Sequence, residues 1–264
     1  MDVSLEHKKD TRGQQKGNKT MRLEGKSVII TGVSQKGQMG FALAEACARE
    51  GAKLTISARS EQHVLARATE LRAQGAEVLA IPADLTSETG AQKVIAQTRH
   101  TYGQIDILIN LAGGLTQFGP FEQLSLAQWE GELKNNLRAT FLCCRAAWPI
   151  FQQQGKGTIL NFSRAGDVWS AGPNMLAYNC AKAGVDALTA TLAREGKAHN
   201  IRVNALGPGL IVTQSNLEAM HPSEEELRTQ WVHPEQIIEA ALFLISDTGS
   251  GVTGTLLPVR GLGI

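Results

Sequence analysis

"SVIITGVSQKGQMGFALAEACARE" (residues 27–50) decides the architecture. It opens with a short apolar, β-branched run, passes through a turn holding Gly32, Gly37 and Gly40, and continues with apolar residues at helical spacing over 41–50. The run reads as a buried strand and the second half as an amphipathic helix. A strand that enters a helix through glycines suits a particular ligand. Without Cβ atoms the backbone turns tightly and comes close to a pyrophosphate, and the first helical N–H groups point at its charge. Gly32, Ser34, Gly37, Met39 and Gly40 are therefore candidates for holding a dinucleotide.

The same alternation continues outward. "KLTIS" (53–57), "EVLAIP" (77–82), "IDILIN" (105–110), "GTILNFS" (157–163) and "IRVNAL" (201–206) are short apolar runs separated by helical patterns such as "EQHVLARATELRAQG" (61–75), which stops on Gly75. Strands that alternate with helices imply right-handed crossovers and a parallel sheet covered on both faces. The expected fold is α/β, one doubly wound domain over 21–264 with a central parallel sheet flanked by helices. No internal repeat and no later break in composition divides it.

Residues 1–20, "MDVSLEHKKDTRGQQKGNKT", are polar and lack the apolar centre of a secretory signal. They read as a flexible tail, with a basic interaction arm as the alternative and Met21 as a possible second start. The formal net charge of +1 supports neither a nucleic-acid partner nor a polybasic membrane patch. No apolar run is long enough to span a bilayer. Cys47, Cys143, Cys144 and Cys180 fall in helical patterns without metal spacing, and reduced, buried thiols in a cytoplasmic protein are expected. The six histidines are scattered, so no metal site is expected.

The second strand leads into Ala58 and Arg59, where a dinucleotide fold reads the adenosine ribose. An acid at this tip would bind the 2′-hydroxyl, and none is present. Arg59, with Lys36 in the glycine turn, suits a 2′-phosphate instead. NADP(H) is thus expected ahead of NAD(H).

With these pieces in order, the chain resembles the classical short-chain dehydrogenase/reductase family over nearly all of 21–264, a Rossmann-type fold. Its overall look is nearest to the 3-oxoacyl-carrier-protein reductases and broad ketone reductases. "TGVSQKGQMG" is similar to the family's first turn, about two residues longer. "ADL" (83–85) resembles the adenine-flanking segment, which implies cofactor contacts from Asp84 and Leu85. "NLAG" (110–113) resembles the Asn-Asn-Ala-Gly strand end with Leu111 in place of the second Asn, which implies contacts from Asn110, Ala112 and Gly113. "WEGELKNNLRATF" (129–141) resembles the helix whose Asn, here Asn136, supports proton relay. "YNCAK" (178–182) resembles the Tyr-x-x-x-Lys signature. "NALGPGLIVT" (204–213) resembles the segment that touches nicotinamide and pyrophosphate, which implies Pro208, Gly209, Ile211 and Thr213. "HPEQIIEAALFLIS" and "VTGTLLPVRG" resemble the family's C-terminal helix and last strand. The resemblance also implies a homotetramer or homodimer and a small-molecule carbonyl or alcohol substrate.

Tyr178 and Lys182, four apart on a helix, share one face. A nearby ammonium and the positive nicotinamide of an oxidised cofactor favour the phenolate, which fits Tyr178 for acid–base work. By the resemblance, Lys182 also binds the nicotinamide ribose. The family usually has two consecutive hydroxyl residues at the end of "ILNFSRAG", the second on the substrate oxygen; here Ser163 is followed by Arg164. Ser163 re-aimed by a bulge, Ser170 from the loop, and Arg164 itself are the three candidates for that donor. Asp167 is a natural partner for Arg164. Trp169, Met220 and Trp231 border the expected substrate pocket, 214–231 reads as a polar lid, and His233 as a helix-entry residue. Two functions follow: an NADP(H)-dependent carbonyl reductase or alcohol dehydrogenase using Asn136, Ser163, Tyr178 and Lys182, or a catalytically impaired NADP(H)-binding regulatory or scaffold protein of the same fold.

Overall fold

In a computed structural model, which describes residues 21–166 and 171–261, β1 (Ser27–Thr31) is buried along its whole length. Val28 and Ile30 pack into one apolar cluster and Ile29 into a second on the opposite face. That division follows from the period-two geometry of a strand covered on both sides. The neighbouring strands repeat it: Leu54, Ile56, Ile107 and Ile109 join the first cluster, and Leu108, Ile159 and Val203 the second.

The strands in chain order are β1, β2 (Lys53–Ala58), β3 (Val78–Pro82), β4 (Ile107–Asn110), β5 (Gly157–Phe162) and β6 (Ile201–Pro208). Two short strands, β7 (Leu210–Ile211) and β8 (Trp231–Val232), pair only with each other, and β9 (Leu256–Val259) closes the large sheet. The order β3-β2-β1-β4-β5-β6-β9 is parallel throughout. The chain winds outward from β1 to β3 and then returns to β4 on the other side of β1. This reversal leaves a crevice outside the carboxyl ends of β1 and β4, where an open α/β sheet binds ligands.

Helices α1 (Met39–Arg49), α2 (Glu61–Ala73), α3 (Glu88–Tyr102), α4 (Leu126–Leu133), α5 (Ala139–Gln154), α6 (Leu176–Gly196), α7 (Gln214–Met220), α8 (Glu224–Thr229) and α9 (Pro234–Ile245) make the crossovers. Leu43, Val64 and Leu242 from α1, α2 and α9 fill the first cluster; Val94, Leu142 and Phe151 from α3 and α5 fill the second. Each fully buried Leu or Ile contributes about 1.5–3 kcal/mol. Ser60 and Ser87 cap α2 and α3 by accepting from His63 N and Gly90 N. Helix α2 ends two residues before Gly75, whose φ of 88° supplies the left-handed stop. The readings made on residues 1–20 and on Asp167, Trp169 and Ser170 fall outside the described residues.

Gly32 combines a φ of 82° with a backbone neighbour: an added Cβ would stand 2.9 Å from Ala112 Cα. Gly75 has the positive φ but nothing within 4 Å of that Cβ. Both Gly→Ala changes carry left-handed strain of about 1–2 kcal/mol, and only Gly32→Ala adds a backbone collision. Urea unfolding is expected to show the larger loss for Gly32→Ala; equal losses would contradict this packing.

Candidate active site

The crevice is built from strand ends tied together. Thr31 Oγ1 accepts from Leu111 N and Ala112 N, both at 3.0 Å, so the residue before the glycine turn fixes the loop after β4. At Gly40 an added Cβ would lie 2.5 Å from Gly32 O, so the first turn of α1 packs directly on the preceding loop. Gln38, ahead of α1, makes no side-chain cap, which leaves the helix N-terminus to an external acceptor. A cavity of about 320 Å³ beside it is lined by Gly32, Ser34, Arg59, Asp84, Leu85, Ala112 and Gly113, all expected from the sequence. Thr86, Gly114, Thr116 and Asn135 also line it and were not anticipated. The glycine cradle and the open helix terminus fit a dinucleotide.

Asp84 Oδ1 accepts from Thr86 Oγ1 at 2.7 Å and Thr86 N at 3.0 Å, and chiefly these bonds hold its carboxyl below the usual range. Lys134 and Arg59 pull in the same direction. Arg59 is exposed at the tip of β2, and Lys36 is exposed in the glycine turn. Asn110 is buried with its amide on Asn161 Oδ1 (2.9 Å) and Cys144 Sγ (3.3 Å), so this side chain braces β4 against β5. Met39 is buried under the turn, and Gly37 sits against Gln214. Pro208 ends β6, Gly209 N donates to Val259 O (2.8 Å), Ile211 lies in β7, and Thr213 caps α7 by accepting from Asn216 N. Ser215 Oγ, one residue into α7, reaches Gln38 Oε1 at 3.1 Å, so the segment after β6 closes against the glycine turn.

Tyr178 and Lys182 project from one face of α6. Lys182 is almost fully buried, donates to Phe162 O at 2.8 Å, and places Nζ 5.5 Å from the centre of the Tyr178 ring. Burial pushes the ammonium down to about 8, while Asp186 and Glu132 pull it back up. Burial also pushes the Tyr178 phenol up to about 12; Arg164 opposes that rise and Glu132 adds to it. Between α4 and α5 the helix widens into a π turn, Lys134–Arg138, with Asn136 fully buried inside it. Asn136 Oδ1 accepts from Gly114 N (2.9 Å), and its Nδ2 donates to Gly114 O (3.0 Å) and Glu132 Oε2 (2.9 Å). Tyr178 and Lys182 on α6 and Asn136 in the π turn thus lie on elements packed against each other.

The candidates for the second donor separate in space. Ser163 is buried; its Oγ lies 3.5 Å from Lys182 O, and its bond to Asp186 opposes the rise that burial gives that carboxyl. Its hydroxyl therefore reaches α6 beyond the phenol. Arg164 follows it, half-buried, with Nη1 on Ala165 O at 3.1 Å and its charge felt by both Tyr178 and Asp186. Sequence reasoning missed Glu132 and Asp186. Each stands four residues along a helix from a recognised residue, Asn136 and Lys182, and that spacing was the available signal.

Some expectations change. Cys47, Cys143 and Cys144 are buried, but Cys180 is exposed because it sits on the outer face of α6 with Leu176, Asn179 and Ala183. That face, together with Arg164, borders a cavity of about 560 Å³, larger than the crevice. Trp231 is buried in β8, where it pairs with Leu210, whereas Met220 is half exposed at the end of α7. His233 immediately precedes α9, as a helix-entry residue should. Among the described residues no three His, Cys, Asp or Glu side chains are grouped to hold a metal, and no helix is long and apolar enough to cross a membrane.

A family model described as Enoyl-(Acyl carrier protein) reductase matches residues 32–261. The chain is 38% identical to 1,6-dihydroxycyclohexa-2,4-diene-1-carboxylate dehydrogenase of Pseudomonas putida, over 91% of this chain and 93% of that one. It is 33% identical to 3beta-hydroxysteroid dehydrogenase 1 of Eggerthella lenta, over 90% and 94%. The chain belongs to the short-chain dehydrogenase/reductase family. Among solved structures, 3-ketoacyl-(acyl-carrier-protein) reductase from Brucella melitensis complexed with NADH superposes with a TM-score of 0.82 at 29% identity, over 92% of this chain and all of that one. A short chain dehydrogenase from Bacillus anthracis gives 0.80 at 33%, over 91% and 97%. Membership of this oxidoreductase family fits the crevice and the Tyr178–Lys182 face described above.

Burying Lys182 has a cost that depends on pH. Its pKa falls from 10.5 to about 8 in the fold, so the unfolded chain holds the proton more tightly. The charged lysine therefore opposes folding in full below pH 8, and the penalty fades as pH rises to 10.5. Lys182→Met is expected to be more stable than wild type in urea at pH 7, with the gap shrinking toward pH 10. A gap that does not change with pH would contradict the burial argument.

Proposed function

We propose that the protein transfers a hydride between NADP(H) and a secondary alcohol or its carbonyl form, with Tyr178 as general acid/base. The observation that carries this reading is the Lys182 ammonium fixed 5.5 Å from the Tyr178 ring inside a buried face. The bound cofactor supplies or accepts the hydride. In reduction, Tyr178 Oη gives its proton to the carbonyl oxygen as the carbon gains hydride; in oxidation, it takes the hydroxyl proton. A phenol pushed up to about 12 is a proton donor at neutral pH. The positive charge of the oxidised nicotinamide lowers it for the reverse direction. Lys182 holds the cofactor ribose, and Asn136 keeps the π turn in place behind it.

NADP(H) is favoured because Arg59 and Lys36 flank the adenosine end and no carboxylate stands at the tip of β2. Arg164, whose charge reaches the phenol, favours a substrate with an anionic group, and the name of the Pseudomonas putida relative contains a carboxylate. Assembly as a homotetramer or homodimer, a cytoplasmic location and a catalytic unit spanning 21–264 complete the proposal.

NADPH oxidation against a panel of ketones, keto acids and acyl thioesters tests it. Tyr178→Phe is expected to lower kcat by about 10²–10⁴-fold. Turnover that survives the change would overturn the role of Tyr178. NADPH binding without turnover on any substrate would favour the impaired, cofactor-binding reading. Arg59→Glu is expected to cut kcat/KM for NADPH by about tenfold or more, the value of a lost charge-assisted bond, and to leave NADH unaffected or improved.

A further inference from the structure

Glu132 carries a carboxylate with no solvent exposure at the back of the site. Its Oε1 accepts from Thr116 N (2.5 Å), Gln117 N (2.7 Å) and Thr116 Oγ1 (2.8 Å), and its Oε2 accepts from Asn136 Nδ2 (2.9 Å). All four donors are neutral, so the carboxylate is held by hydrogen bonds with no cation among them. Burying such a charge is costly, and an apolar side chain of similar volume would fill the same space without that cost. Packing alone therefore gives no account of a carboxylate here.

What it touches does. One oxygen fixes the loop after β4, whose Thr116 lines the cofactor crevice. The other accepts from the amide of Asn136 and reinforces the orientation that the two bonds to Gly114 already give it. The charge also lies close enough to act on both Tyr178 and Lys182. We propose that Glu132 is a positioning residue that orients Asn136 and sets the proton affinity of the Tyr178–Lys182 pair through its fixed negative charge. The proposal rests on Tyr178 being the acid/base group.

The charges facing Tyr178 come from three elements: Arg164 after β5, Lys182 on α6, and Glu132 on α4, with Asp186 further along α6 acting on Lys182. Removing Glu132 takes away the anion that opposes Arg164 and Lys182 at the phenol, which favours the phenolate. Glu132→Gln keeps the shape but turns an amide donor or a single acceptor toward the four donors now served. The pH limb of kcat/KM for alcohol oxidation is expected to move to lower pH by roughly half a unit to one unit. kcat is expected to fall about tenfold or more, with cofactor KM changed less than twofold. Thr116→Val removes one hydroxyl donor and leaves the charge less neutralised, so it should move the limb slightly the other way even if the Gln variant fails to fold. A limb that stays in place in every folded variant, with only melting temperature or kcat reduced, would overturn the proposal. Tyr178→Phe separates the two readings. If it turns over normally, the acid/base assignment fails and this inference with it. If it is inert while the limbs of the Glu132 and Thr116 variants do not move, only the inference on Glu132 fails.

Discussion

An ammonium group kept out of water has to be held by something, and in this protein the need organises one end of the sheet. Lys182 points from α6 into the seam beside β5 and donates to Phe162 O at 2.8 Å. Burial alone would drive off its proton, and Asp186 and Glu132 work against that. Neither anion lies within the Tyr178–Lys182 signature itself. One lies a turn further along α6, and the other lies on α4 just before the π turn. The parallel sheet makes the meeting possible, because it brings the carboxyl ends of β4 and β5 side by side under both helices.

The same end of the sheet is stitched by buried polar groups. Thr31 bonds the two amides after β4, and Asn110 reaches Asn161, whose amide donates to Thr189 Oγ1 on α6 at 2.9 Å. Buried hydrogen bonds of this kind hold positions sharply, although Asn110 Oδ1 is left buried without a hydrogen-bond partner. They tie together the glycine turn, the loop after β4 and the reactive face of α6. A site assembled in advance in this way has little reordering left to do when a dinucleotide binds.

Much of the fold was legible because its signals are local. Six short apolar runs rich in Val and Ile, each followed by a helical pattern, fixed a parallel sheet, and a glycine-rich turn after the first marked its ligand end. The two-residue strands β7 and β8 were not legible, since a pair that short has no periodicity to read. Neither was the π turn, which depends on side-chain bonds of Asn136 to a loop more than twenty residues away. Glu132 looked like an ordinary helix acid because burial is a tertiary property. Cys180 was misjudged for the converse reason: its helix buries Ala177 and Ala181 on one side and leaves the cysteine on the other. Ser163 and Arg164 stayed open in the sequence because one residue of slip reverses which of them faces the site.

The chain holds only two tyrosines, Tyr102 and Tyr178, which makes the phenol at the centre of this account directly observable. Both are pushed up to about 12 by burial. Protein carrying ¹³Cζ-tyrosine would be titrated by NMR with and without saturating NADP⁺, with Tyr178→Phe used to assign the two signals. The account predicts that the Tyr178 signal alone moves, its midpoint falling by two units or more when the oxidised cofactor adds its charge, a shift within the range that nearby charges produce. A Tyr178 midpoint that stays where it was with the cofactor bound would contradict it.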